Sequence, residues 1–402
     1  MKEKKVYIIV TPFFPKHDDF RGPFVLDQAK AIARNSDFQV IVLRPSSTGD
    51  GKQYTYDGVN VEYFPFVSMP SSILNGLPNY VNGLLFVRKL KRMGVKLKDI
   101  AVVHAHTSTL ACCATAVKKR NPQVKSVVQY HDPDPYGIRN GKFTHSVWNN
   151  TLKVRFLISQ FKNIDLHLCI SNKVEYNLKN IPMPSPNEYY GSYKKCLRYV
   201  KGVKVPKIRT YILHNGVDTM VFKKHNEDRI SKTFRIGCIA NFVDWKDQLT
   251  LIKAVELLRN RIPSLELSLI GTGVEYDTCV SYCKAHQLED IVKFEKELHH
   301  NLLVDYYNML DLFVLPSFFE GFGCVFTEAY ACGVPFITCK GQGMDDYIVG
   351  TERKKWFIEP KDNKHLANLI IDYYNNRNQQ TLNSEINIDS LVKNYLTYLK
   401  NI

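Results

Sequence analysis

Residues 311–338, DLFVLPSFFEGFGCVFTEAYACGVPFIT, constrain the fold of this chain more than any other stretch. The apolar run at 312–315 is stopped by Pro316 and Ser317, the pattern of a buried strand bounded by a turn. A glycine-bearing loop follows at 320–323, and residues 324–332 then carry no helix breaker. Gly333 stands where a left-handed helix cap belongs, with Pro335 two residues beyond it. Residues 334–338 read as the next strand. Strand, glycine loop, helix, strand is one unit of a parallel α/β sheet.

That order has a chemical consequence. The loop delivers the chain to a helix start, where unpaired N–H groups and the positive end of the dipole attract anions. Gly321 and Gly323 permit positive φ and close approach of the backbone to a ligand. Glu320 and Glu328 flank this anion site, with seven residues between them. Two carboxylates beside an anion make sense if they accept hydrogen bonds from sugar hydroxyls on either side of a pyrophosphate. The ligand so implied is a nucleotide sugar. The plainer alternative is an ordinary crossover with two surface glutamates.

The run PSFFEGFGCVFTEAYACGVP, with Glu320 and Glu328 in it, resembles the paired-glutamate motif of glycosyltransferase family 4. The resemblance covers most of the chain and is densest over residues 211–347. It implies a retaining, hexosyl-type enzyme of the GT-B fold, of the kind used in bacterial cell-surface polysaccharide assembly. That fold is α/β: two Rossmann-like domains with parallel sheets facing an interdomain cleft, the donor held mainly by the second. Glu320 is the expected catalytic carboxylate. Gly321, Phe322, Gly323, Cys324, Val325 and Glu328 complete the expected donor contacts in this stretch.

A length of 402 residues exceeds what one compact core usually holds, so two domains are expected. The first runs over 1–207, with a Pro-, Tyr- and Lys-rich insertion at about 181–207, and is rejoined by a C-terminal helix at about 385–402. The second runs over 208–384. Ten scattered cysteines form no CxxC pair, and buried reduced thiols account for them better than a metal site or disulfide framework. The net charge of +15 fits an anionic partner, whether membrane surface or phosphate-bearing substrate. No nucleic-acid-binding motif is present. Within residues 71–97, apolar Leu84, Leu85, Val87 and Leu90 mix with Arg88, Lys89, Lys91 and Arg92. Such a basic amphipathic segment can lie on anionic lipid, or be the solvated face of a helix.

Earlier in the chain, a strand at 6–10 leads into a loop whose Gly22 is the expected point of close approach to substrate. It resembles the glycine-containing first loop of the family, with one glycine where many members have two. His104 and His106 end a strand at 100–106; one is expected in the core and the other at the cleft. His131 follows the strand at 127–130 and precedes Pro133, which places it to enter a cleft. The resemblance implies that His131 contacts the donor sugar near the reacting carbon. The strand at 166–171 is expected to be the last of the first domain.

In the second domain, Lys246 lies just before a helix at 248–259, where an ammonium can join a phosphate site. Five residues ahead of it the family usually has an arginine that completes a pyrophosphate clamp. Asn241 stands there instead, and Lys340 or Arg21 are candidate substitutes. Gly271-Thr272-Gly273 is a lone GxG after a strand, weak evidence alone.

The expected reaction moves a sugar from a UDP- or GDP-sugar to an acceptor hydroxyl, with a lipid-linked saccharide as the acceptor class. No cofactor or metal is called for. A cytoplasmic protein is expected, with peripheral attachment at the inner face of the membrane as an option. The rival readings are a sugar-nucleotide epimerase on the same fold and a non-catalytic donor-binding protein.

Overall fold

Consecutive apolar residues become strands buried on both faces, as a parallel sheet covered by helices requires. The computed structural model describes residues 4–16, 22–47, 52–69, 76–132, 134–139, 142–143, 155–181, 203–225, 231–298 and 302–402. The chain divides into two units, Met1–Asn215 with Ile388–Ile402, and Gly216–Asn387.

The first unit is built on β1 (Val6–Val10), β2 (Gln39–Ser46), β3 (Tyr54–Tyr56), β4 (Val59–Pro65), β5 (Ile100–Ala105) and β6 (Lys125–Tyr130). A small hairpin, β7 (Ile138–Arg139) and β8 (Lys142–Phe143), lies apart from the main sheet. Two further strands, β9 (Leu166–Cys169) and β10 (Thr210–Ile212), complete the set. The sheet order is β10-β9-β6-β5-β1-β2-β4-β3, parallel throughout except for the β3–β4 hairpin. Asp57 and Gly58, both at positive φ, close that hairpin as a two-residue turn demands. The last helix, Ile388–Lys400, packs Val392, Tyr395, Leu396 and Leu399 into the same core as Tyr7, Ile9 and Val102.

One expectation is corrected here. The strand at 166–171 is not the last of its sheet, because β10 pairs parallel to it on the outside. Three half-buried residues after a Pro- and Lys-rich segment carry too little periodicity to be recognised. Most of the 181–207 insertion lies outside the described residues.

The second unit carries β11 (Phe234–Ile239), β12 (Leu265–Ile270), β13 (Val292–Glu295), β14 (Leu312–Leu315), β15 (Phe336–Cys339) and β16 (Phe357–Ile358). They are all parallel, in the order β13-β12-β11-β14-β15-β16. This is the doubly wound Rossmann order, and the first unit repeats it with one more parallel strand. In both, strand order reverses at one place: between β1 and β5 in the first unit, between β11 and β14 in the second. Loops leaving the carboxyl ends of those strands diverge to opposite faces and leave a crevice, which is where such sheets take ligands.

Candidate active site

The switch point of the second unit explains how residues far apart in sequence meet. The loop after β11 runs through Asn241 into a 3-10 turn, Asp244–Lys246, and then the helix Gln248–Leu258. Gln248 fastens this loop, its side-chain amide donating to the carbonyls of Ala240 (3.2 Å) and Asn241 (3.1 Å). The loop after β14 carries Glu320. Because β11 and β14 are neighbours, Lys246 Nζ donates directly to Glu320 Oε2, forming a largely buried ion pair.

A third loop holds Glu320 in place. Its backbone N–H donates to Gln342 Oε1 (2.8 Å), and its carbonyl accepts from the Gly343 N–H (3.2 Å). A Cβ on Gly343 would lie 2.3 Å from the Gly321 carbonyl oxygen, so only glycine allows this approach. The polar loop after β15 therefore braces the glutamate loop, a role that sequence reading missed. The signal was there in the two glycines of CKGQG, but nothing local says what they approach.

Gly323, at φ 84°, turns the chain into the helix Cys324–Ala331. No side chain caps this helix, and Cys324 and Val325 lie in its first turn. Gly321 is buried, and Phe322 is 1% exposed with its ring against Tyr347, which leaves Phe322 only its backbone for a ligand. Glu328, in the second turn of the helix, is buried and accepts a hydrogen bond from Tyr307 Oη (2.8 Å). Burial first and the Glu328 charge second push the Tyr307 hydroxyl well above the usual phenol range, so it stays a donor. Tyr307 is a second residue that sequence reading did not single out.

Other candidates fall outside this cluster. Asn241 is exposed on the same loop as Lys246. Lys340 pairs with Glu359 (2.6 Å), and Arg21 lies outside the described residues. The GxG at 271–273 has a packing reason: added Cβ atoms would meet the Ala240 and Phe242 carbonyl oxygens at 2.1 and 2.2 Å.

In the first unit, Gly22 leads into the helix Pro23–Arg34, with the Phe13 backbone close beside it. His106 follows β5 and His131 follows β6, so both lie at carboxyl ends of neighbouring strands. The rings of His104 and His106 stack at 4.4 Å, and those of His106 and His131 at 5.7 Å. His104 and His106 are both fully buried, a correction to the expectation that one of the two reaches a cleft. The physical reason is that Tyr7 Oη bonds His104 Nδ1 (2.9 Å) and Tyr395 Oη (2.8 Å), drawing the column into the core under the last helix. Both ring nitrogens of His106 and the Nε2 of His131 are buried without a hydrogen-bond partner among the described residues. Burial depresses all three histidines: His131 to about 4, His104 to about 3 with help from the His131 charge, and His106 well below the ordinary value. At neutral pH they are uncharged.

All nine described cysteines are free, and eight of them are buried. None of the helices among the described residues is long and apolar enough to cross a membrane.

Comparison with known proteins bears on the family and the fold. Residues 22–187 match the family model described as Glycosyltransferase Family 4, and residues 221–386 the model described as Glycosyl transferases group 1. A GDP-mannose-dependent alpha-(1-6)-phosphatidylinositol monomannoside mannosyltransferase from Mycolicibacterium smegmatis is 28% identical over 149 residues, which is 33% of this chain. The match spans only 39% of that relative's own length. Among solved structures, a sucrose-phosphate synthase from Thermosynechococcus elongatus superposes with a TM-score of 0.65 at 18% identity, covering 98% of this chain and 95% of the other. HepE of Anabaena, solved in complex with UDP and glucose, gives 0.62 at 17% identity, covering 98% and 95%. With two family models matched across both halves and two doubly wound parallel sheets of their kind, the chain belongs to the family 4 glycosyltransferases and has the GT-B fold.

Proposed function

We propose that this protein is a retaining glycosyltransferase that moves a hexose from a nucleoside-diphosphate sugar, with UDP or GDP as carrier, to an acceptor hydroxyl. The observation that carries the reading is the Lys246–Glu320 pair at the switch point of the second unit, beside the uncapped start of the Cys324–Ala331 helix. When the glycosidic C–O bond of such a donor breaks, negative charge collects on the departing diphosphate. A lysine and helix-start amides already in position stabilise that charge without reorganising. The ion pair is the ligand-free arrangement: a diphosphate takes the Lys246 ammonium, and the freed Glu320 carboxylate accepts from hydroxyls of the transferred sugar. Glu328, already bonded to Tyr307 on one side, takes the hydroxyls of the nucleoside sugar. The family resemblance gives His131 a contact to the transferred sugar, and its uncharged ring suits hydrogen bonding there. No cofactor or metal is part of this scheme.

The acceptor class proposed is a lipid-linked saccharide of a surface polysaccharide. The mycobacterial relative's name, with GDP-mannose and a phosphatidylinositol mannoside in it, supports both a nucleotide-sugar donor and a lipid acceptor. The UDP and glucose held by the Anabaena structure support the donor class. The helix Leu77–Arg92 exposes Tyr80 and Leu84, then Arg88, Lys91 and Arg92, which suits peripheral attachment to an anionic membrane from the cytoplasmic side.

Incubation with UDP- and GDP-sugars, with and without lipid-linked saccharide, tests the reading. Nucleotide release that requires acceptor supports transfer, and an altered sugar without release identifies an epimerase. Binding with neither leaves a donor-binding protein. Proton NMR of the first-formed product reads the anomeric configuration. Glu320→Ala is expected to lower turnover by roughly 100-fold or more with the fold intact by circular dichroism; wild-type turnover in that variant removes Glu320 from the mechanism.

A further inference from the structure

A cavity of about 450 Å³ lies in the first unit, at the amino ends of β5 and β6, away from the loops that carry Gly22 and His131. Its floor is apolar. Ile100, Val102, Leu396 and Leu399 line it, each at most 5% exposed, with the half-buried ring of Phe38 beside them. Its rim is cationic. Lys5, Lys98, Lys125 and Lys400 all line it, and no acidic residue does.

The partners of these lysines make the rim unusual. Lys5 Nζ donates to the Lys98 carbonyl (3.0 Å), and Lys125 Nζ to a backbone oxygen of Ile402, the last residue of the sequence. Among the described residues none of the four pairs with an aspartate or glutamate side chain. Elsewhere in this unit lysines do find acids: Lys30 with Asp57, Lys89 with Glu62, Lys118 with Asp165. Lys5, Lys98 and Lys400, with no acidic side chain on the rim, repel one another, and the repulsion is relieved by an anion among them. The basin has the size of a small-molecule site, within about 300–1,000 Å³. A free phosphate would use the rim and leave the apolar floor wet; a neutral hydrocarbon would use the floor and leave the rim unneutralised.

We propose that this cavity binds an anionic amphiphile, its alkyl or prenyl chain on the Phe38–Leu399 floor and its phosphate or carboxylate head among the four lysines. The site is independent of the donor-binding machinery of the second unit and does not rest on the glycosyl-transfer reading. The same chemistry is presented by a free amphiphile and by an anionic lipid in a bilayer.

The experiment titrates the full chain with decyl phosphate below its micelle concentration, by isothermal calorimetry, with decyl maltoside and inorganic phosphate as controls. In parallel, co-flotation is measured with phosphatidylglycerol and with phosphatidylcholine vesicles. The variant is Lys98→Glu with Lys400→Glu, both at exposed positions, its fold checked by an unchanged thermal transition. Lys354→Glu with Lys364→Glu, two exposed lysines of the second unit, is the control for charge alone. Saturable binding of decyl phosphate, weakened roughly tenfold or more by the rim variant and unchanged in the control variant, supports the site with a free amphiphile as its ligand. Flotation with phosphatidylglycerol alone, lost in the rim variant and kept in the control, supports it with a bilayer lipid. Absence of both, equal binding of decyl maltoside, or equal loss in both variants overturns it.

Discussion

At the switch point of the second unit a cation and an anion face one another, Lys246 against Glu320, with side chains 20% and 15% exposed. At that of the first unit the polar groups are His104 and His106, wholly buried and held neutral. The buried histidines of the described residues, these two and His167, all belong to the first unit. The same strand order thus carries two kinds of electrostatics. A pair of opposite charges can remain near solvent and exchange partners when a charged ligand arrives. A buried neutral stack cannot offer charge at all and orients rings instead. Charge work at one crevice and positioning at the other is what the contrast teaches, and the following measurements break or sharpen it.

The largest effect is expected at the ion pair. Lys246→Met should lower turnover by about 100- to 1,000-fold through loss of leaving-group stabilisation. If the pair were only a structural tie, Lys246→Met combined with Glu320→Gln would restore turnover while either single change lowered it. Steady-state rates of all three variants decide this.

Acid should act on the first unit. A histidine whose folded value is depressed binds its proton less readily folded than unfolded. Stability is therefore complete above about pH 6.5 and falls as the pH drops toward 4, by roughly 3 kcal/mol for each histidine held near 4. Scanning calorimetry between pH 7 and pH 4 should show the transition of the first unit moving down. His106→Phe should flatten that slope; an unchanged slope would place the acid sensitivity elsewhere.

A smaller loss is expected from Gly343→Ala. The new methyl group meets the Gly321 carbonyl and pushes on the loop that carries Glu320, at a strain of about 1–3 kcal/mol. Turnover should fall without change in any charged group, and a normal rate would show that the brace is dispensable. The smallest effect belongs to Lys340→Ala. Its partner Glu359 is 60% exposed and the lysine 43%, so the loss should stay within about 0.5 kcal/mol by denaturant midpoint, with unaltered donor affinity. A weakened donor affinity would instead make Lys340 the substitute for the clamp arginine that Asn241 replaces.

Much of the fold was legible because its signals are local. The runs Val6–Val10, Leu265–Ile270 and Leu312–Leu315 are continuous apolar strands, and Gly323 and Gly333 bracket a helix. What escaped was short or non-local. β10 has three residues and no pattern of its own. Gln342 and Tyr307 reach Glu320 and Glu328 from other elements, 22 and 21 residues away. The loop after β15 braces the glutamate loop through Gln342 and Gly343, and a polar glycine loop reads the same in sequence whether it meets a ligand or another loop.

Taken alone, the order of residues settled most of the strands and helices, where the chain turns, and that Glu320 precedes one glycine-loop helix while Glu328 lies within it. Those properties depend on neighbours along the backbone, through apolar periodicity and allowed φ. Folding decided that Lys246 lies against Glu320, that His106 is hidden in a stack, and that four lysines ring an apolar basin. Each of these joins residues from different strands or helices, and only the parallel strand order, fixed by packing of the whole sheet, brings them within bonding distance.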